Sequence, residues 1–313
     1  MTFAFVFPGQ GSQVVGMGQE LAAAFPTAAE VFEIVDDTLG ENLTKVMFEG
    51  PEDILKLTRN AQPALMAVSM AVLRVLEDEG GFDIGSKVKY VAGHSLGEYS
   101  ALAAARTFSI SDTAKLLKIR GHSMQEAVPV GEGAMAALLG LDINLASKIA
   151  DEAGQGEICT TANDNANGQV VISGAKEAVE RAIVIAKNNG AKRGVILPVS
   201  APFHCALMAP AAHAMREALS SVRMDDPVVP LIANVTASEV SDAAEIRRLL
   251  VEQVTGMVRW RESVLFMRAH GVDKLVEIGP GKVLSGLVKR INADMTVQNI
   301  STPKDVEVFF KSL

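Results

Sequence analysis

Residues Thr2 to Phe7 (TFAFVF) form an unbroken run of mostly aromatic and β-branched residues that stops at Pro8-Gly9. Such a run predicts a buried strand feeding a loop, and the loop is rich in glycine: Gly9, Gly11, Gly16 and Gly18. Helical spacing of apolar positions follows near 19–37 and 62–79. KVKYVAG (87–93) then predicts a second buried strand, leading into the helical pattern LGEYSALAAA. Strands alternating with helices predict a parallel sheet.

The texture changes near Gly133. AMAALLGL, EICTTAN and QVVISG are short strand-like runs, joined by helical patterns near 143–153 and 175–188, with KRGVILPV closing the set. The order strand, helix, strand, strand, helix, strand is that of the ferredoxin-like split unit. A small ferredoxin-like domain is therefore expected at 129–198, inserted into a large domain formed by 1–128 and 199–313. Large-domain patterns resume with a helix near 207–220 and strands at VVPLIAN (228–234) and KLVEIG (274–279), the last broken by Pro280-Gly281. No internal repeat or low-complexity segment is visible.

Composition narrows the classes of function. The 313 residues suffice for an extensive core, and 49% hydrophobic residues with a net charge of -8 fit an acidic globular protein. Nucleic acid is not an expected partner. No apolar run approaches the roughly 20 residues needed to span a bilayer, and the N-terminus lacks a basic segment ahead of an apolar one. No membrane association is expected, and the cytoplasm is the expected location. The two cysteines, Cys159 and Cys205, form no C-x-x-C pair, so free thiols are expected and no metal site.

Gly93-His94-Ser95-Leu96-Gly97 fits G-x-S-x-G between a strand and a helix, the context of a nucleophile elbow. The alternative is a serine at a plain helix start. A serine nucleophile needs a base, and the chain has five histidines. His94 is adjacent, but neighbours at a strand end point to opposite faces, so a packing role is expected. His204 lies in a Pro-interrupted loop, VSAPFHCALM, where catalytic groups concentrate. His122, His213 and His270 fall in helical patterns and are expected to be surface or satisfied residues.

Arg120 shares an apolar helical stripe with Leu116, Leu117 and Met124. Either its stem lies on apolar surface while its head reaches water, or the guanidinium meets an anion; spacing alone favours the first. FPGQGSQ (7–13) fits no nucleotide phosphate loop, but Gln10 and its backbone amides would face Ser95 if the two strands are neighbours.

FVFPGQGSQ, TRNAQPAL (58–65), GHSLGEYSAL (93–102), RGHSMQEA (120–127), PFHCALM (202–208), EQVTGMVRW (252–260) and VEIGPGKVL (276–284) occur in this order across nearly the whole chain. Together they resemble the acyltransferase family of malonyl-CoA:acyl carrier protein transacylases of fatty acid synthesis and the related domains of polyketide synthases. The resemblance implies an α/β fold, with an α/β-hydrolase-like parallel-sheet large domain. It implies Ser95 as nucleophile, His204 as base, and the amides of Gln10 and Leu96 as oxyanion hole. Arg120 becomes the clamp for a malonyl carboxylate, which replaces the snorkelling reading. Gln62 falls beside the active site, and the main-chain carbonyl of Gln253 holds the histidine ring in place of a triad acid. Phe203 matches the bulky residue of malonyl-selective members.

The implied reaction is ping-pong transfer of malonyl from the coenzyme A thioester to acyl carrier protein, with neither metal nor bound cofactor, by a monomer. An acidic carrier protein would need a local basic patch on this acidic chain, and the scattered Lys and Arg do not locate one. The rival readings are a serine thioesterase or hydrolase of the α/β-hydrolase type and a non-catalytic module of a larger synthase.

Overall fold

A computed structural model describes residues 2–312. Its strands are β1 (Phe3–Phe7), β2 (Val91–Gly93), β3 (Gly133–Leu139), β4 (Cys159–Ala166), β5 (Gln169–Ala175), β6 (Arg193–Ile196), β7 (Leu231–Ile232), β8 (Glu239–Val240), β9 (Lys274–Ile278) and β10 (Thr296–Ile300). One sheet has the order β10-β9-β1-β2-β7-β8, all parallel except β7 with β8. The unbroken apolar run of β1 has a simple cause: both faces are covered. Phe5 and Phe7 enter the core that includes the helix Thr58–Gly80, while Ala4 and Val6 enter a second core with Val258, Trp260 and Val264. The register pairs Phe7 with Gly93, so β1 and β2 end side by side. The loops that follow them therefore share one edge of the sheet, the edge where ligands bind in α/β folds.

The other sheet, β4-β5-β3-β6, is antiparallel and carries the helices Ile143–Gly154 and Lys176–Asn188 against a core of small and branched residues. Strand β4 joins this unit to the large sheet's helices. The Asp164 N–H donates to the Val258 carbonyl and the Val258 N–H to the Ala162 carbonyl, each at 2.9 Å. Arg261 pairs with the buried Asp164 carboxylate at 2.8 Å.

Several elements differ from the sequence pattern. The helix near 19–37 is two, Gln19–Ala24 and Pro26–Leu39, because Pro26 has no N–H to continue a ladder and sits instead in the first turn of the second helix. KVKYVAG begins as the end of a short helix, Ile84–Lys87, capped by Asp83, and only Val91–Gly93 is strand. VVPLIAN contributes only Leu231–Ile232, since Pro230 cannot donate to a ladder. Strands β8 and β10 were not apparent from the pattern. Both are edge strands, half-exposed and polar, without the apolar run of a central one.

Candidate active site

Ser95 occupies the turn between β2 and the helix Gly97–Ala104 with a positive φ of 54°. A left-handed conformation costs a non-glycine residue about 1–2 kcal/mol, so the surroundings must impose it. They do so through close backbone packing. A Cβ on Gly93 would lie 1.9 Å from the Gly97 carbonyl, and one on Gly97 would lie 2.3 Å from the Phe7 carbonyl oxygen. Glycine at both positions lets the turn fold tightly over the end of β1.

His204 also has a positive φ, 58°. Its Nε2 lies 2.8 Å from Ser95 Oγ and its Nδ1 lies 2.9 Å from the Gln253 carbonyl oxygen. A carbonyl only accepts, so Nδ1 carries the proton and the Nε2 lone pair faces the serine hydroxyl. Burial, reinforced by the positive charge of Arg120, pushes the His204 pKa down to about 3. The imidazole is neutral and ready to accept a proton.

Arg120, in the helix Ile110–Glu126, is only 1% exposed. Its guanidinium does not reach water, which overturns the snorkelling reading. Nη1 donates to Gln62 Oε1 at 2.9 Å, and Nη2 donates to Gln253 Oε1 at 2.8 Å and to Ser95 Oγ at 3.1 Å. Nε is buried without a partner, and the guanidinium carbon stands 5.6 Å from the Tyr99 ring centre. A fixed cation thus touches the Ser95 hydroxyl and keeps one donor in reserve.

Gln10 lies in the loop after β1, with its Nε2 donating to Thr58 Oγ1 at 3.4 Å. The backbone N–H groups of Gln10 and Leu96 donate to no acceptor among the described residues, as an oxyanion hole requires of its donors. Phe203 is buried beside His204, packed in the large core. His94 turns away, with its Nε2 2.8 Å from Asn165 Oδ1 and its ring tilted against Trp260. His122, His213 and His270 are exposed. The described residues contain no cluster of three or more metal-ligating side chains.

Two residues at the site escaped the sequence reading. Asn234 Oδ1 accepts from the Ser95 N–H at 2.8 Å, while its Nδ2 donates to the Gly93 carbonyl at 2.7 Å, lacing the turn. Nothing local marks it. Glu98 is completely buried behind the turn, and a signal existed: it is the only charge within LGEYSALAAA.

Residues 4–304 match the acyl transferase domain family. The chain is 45% identical over 311 residues to a malonyl CoA-acyl carrier protein transacylase of Bacillus subtilis (strain 168), covering 99% of this chain and 96% of that one. With its counterpart from Escherichia coli (strain K12) the identity is 46% over 301 residues, 96% of each chain. Among solved structures, an acyl-carrier-protein-S-malonyltransferase from Bartonella henselae superposes with a TM-score of 0.97 at 56% identity, covering 100% of this chain and 99% of that one. A malonyl-transacylase in complex with a type II PKS acyl-carrier protein superposes at 0.96 with 43% identity, over 100% of both chains.

Proposed function

Since this chain belongs to the acyl transferase domain family, we propose that it is a malonyl-CoA:acyl carrier protein transacylase that supplies malonyl carrier protein for fatty acid synthesis. His204 Nε2 takes the Ser95 proton as Oγ attacks the thioester carbonyl. The oxyanion lies on the Gln10 and Leu96 amides, and coenzyme A leaves with the proton returned by His204 to its sulfur. The phosphopantetheine thiol of the carrier protein then attacks the malonyl-serine ester, and His204 moves the proton in the reverse sense. The malonyl carboxylate binds Arg120, which Gln62 and Gln253 hold in place.

One observation carries the reading: a fully buried guanidinium 3.1 Å from the nucleophilic oxygen. An acyl group without a carboxylate would leave that cation unpaired, an effect large beside the recognition of a methylene. A general thioesterase would gain nothing from it. The bulk of Phe203 supports malonyl over methylmalonyl. The reaction needs no metal or bound cofactor, because attack, proton transfer and charge stabilisation are all supplied by the chain. No helix among the described residues is long and apolar enough to cross a membrane; the reading places the protein in the cytoplasm as a monomer.

Incubation with malonyl-CoA and holo acyl carrier protein, followed by intact-mass analysis of both proteins, tests this. Malonyl is expected first on the enzyme and then on the carrier, with no enzyme adduct in Ser95→Ala. Release of coenzyme A without carrier protein, leaving the carrier unlabelled, would establish a hydrolase instead.

A further inference from the structure

Behind the Ser95 turn lies a carboxylate that none of these steps uses. Glu98 Oε2 accepts from the Asn234 N–H at 3.1 Å and from Gln253 Nε2 at 2.9 Å, while Oε1 is buried with no partner. The Gln253 amide therefore stands between an anion and a cation. Its Nε2 also donates to the Ser95 carbonyl at 2.9 Å, and its Oε1 accepts from Arg120. An amide has one donating and one accepting end, so anchoring the first at Glu98 directs the second at Arg120. Reversed, it would set NH2 against the guanidinium.

Charge makes the same connection. Arg120 has no direct ion pair among the described residues, and an isolated buried cation is costly. Glu98 is the compensating charge one amide away. A substrate carboxylate bound to Arg120 would leave two anions and one cation in a region closed to water. Of the groups facing Glu98, Asn234 and Gln253 do not titrate. Tyr99 is held neutral by burial that pushes its phenol up, and Arg120 is needed as a cation. His204, beyond Gln253, titrates at about 3 through burial and the charge of Arg120, too far below pH 7.5 to hold a solution proton at equilibrium. Glu98 alone can respond. Burial pushes its carboxyl up to about 7, against the bonds from Gln253 and Asn234 and the charge of Arg120. A proton on Oε1 would leave both bonds to Oε2 intact.

We propose that Glu98 is a specificity-determining positioning residue: through the Gln253 amide it holds and neutralises Arg120 in the empty site, and it takes up a proton when a carboxylate-bearing acyl group occupies Ser95. This rests on the acyl-transfer reading. Ester formation itself consumes no proton from solution, because the Ser95 proton leaves on the coenzyme A sulfur. Uptake therefore reports Glu98.

The test mixes the enzyme with malonyl-CoA at pH 7.5, without carrier protein, in weak buffer containing a pH indicator, with adduct counted by intact mass. The wild type is expected to take up more than about half a proton per malonyl-serine formed, and Glu98→Gln none. The KM for malonyl-CoA should rise with pH between 6.5 and 8.5 in the wild type. In Glu98→Gln it should be flat and about tenfold lower at the upper end, since the wild type must there protonate a carboxyl that titrates at about 7. A stoichiometric wild-type adduct without proton uptake, or a Glu98→Gln enzyme with the wild-type pH profile, overturns the proposal. Absence of any wild-type adduct overturns the acyl-transfer reading instead. If Glu98→Gln does not fold, as circular dichroism would show, wild-type uptake and pH profile still decide.

Discussion

Around Ser95 the large domain buries an arginine, a glutamate, two glutamines, an asparagine and a histidine against one another. Between its sheet and two helices the small domain buries Ala136, Leu138, Ile149, Ile172 and Val179. Its own buried carboxylate, Asp164, faces the other way, toward Arg261 of the large domain. The backbones differ in the same sense. Two non-glycine residues with positive φ, Ser95 and His204, face each other at 2.8 Å in the first; in the small domain the one such residue, Gln155, merely ends a helix. Polar atoms out of water must meet specific partners, and strained turns persist only where neighbours over-determine them. Apolar side chains need only fill space. The first region is therefore sensitive in its chemistry and the second in its stability.

The sharpest way to break this contrast is Arg120→Ala. Removing one member of a buried charged network costs about 2–5 kcal/mol, so kcat/KM for malonyl-CoA should fall at least thirtyfold while activity with acetyl-CoA rises relative to it. An unchanged acyl preference in a two-substrate competition would remove the clamp. Next in size is Ile172→Ala, in the centre of the small sheet and fully buried. It should lower unfolding stability by about 2–4 kcal/mol in urea titration while leaving the KM for malonyl-CoA unchanged. A shift in KM as large as that for Arg120→Ala would mean that small-domain packing tunes the site.

The smallest effect concerns pH. His204 has a folded pKa of about 3, below its unfolded value, so the unfolded chain binds the extra proton as pH falls. Its contribution to stability is complete above the ordinary histidine value and is lost below it. Glu98 opposes this, since its raised pKa makes the folded state the better proton binder on the way down from about 7. A difference isolates the histidine. From pH 6.5 to 5.5 the wild type should lose about 1 kcal/mol relative to His204→Asn, measured by urea unfolding of both. No relative loss would mean that His204 titrates normally and is not buried neutral.

Much of this was legible in short stretches of chain. The two-face burial of β1 shows in TFAFVF, the strand-turn-helix around Ser95 in its glycines, and the small domain in its alternation of strand and helix patterns. These are local, because side-chain period and backbone freedom act over a few residues. The ordered motifs together also carried the resemblance that points to Ser95, His204 and Arg120.

What no stretch of chain contains is the partner of each polar group. Ser95 meets His204 across 109 positions and Gln253 across 158, and Asn234 reaches Gly93 across 141. The Asn234 pairing follows from the sheet order, which sets β7 beside β2, whereas His204 is brought in by the loop after β6 and Gln253 by the end of the helix Ala243–Gln253. The apolar stripe on the Arg120 helix was compatible with a solvated head, and only packing against Thr58–Gly80 and Gly97–Ala104 withdrew it from water. Glu98 was visible as a charge in an apolar run. That it faces Arg120 through a single amide was settled by three dimensions, because desolvation and hydrogen-bond direction belong to surroundings assembled from distant parts of the chain.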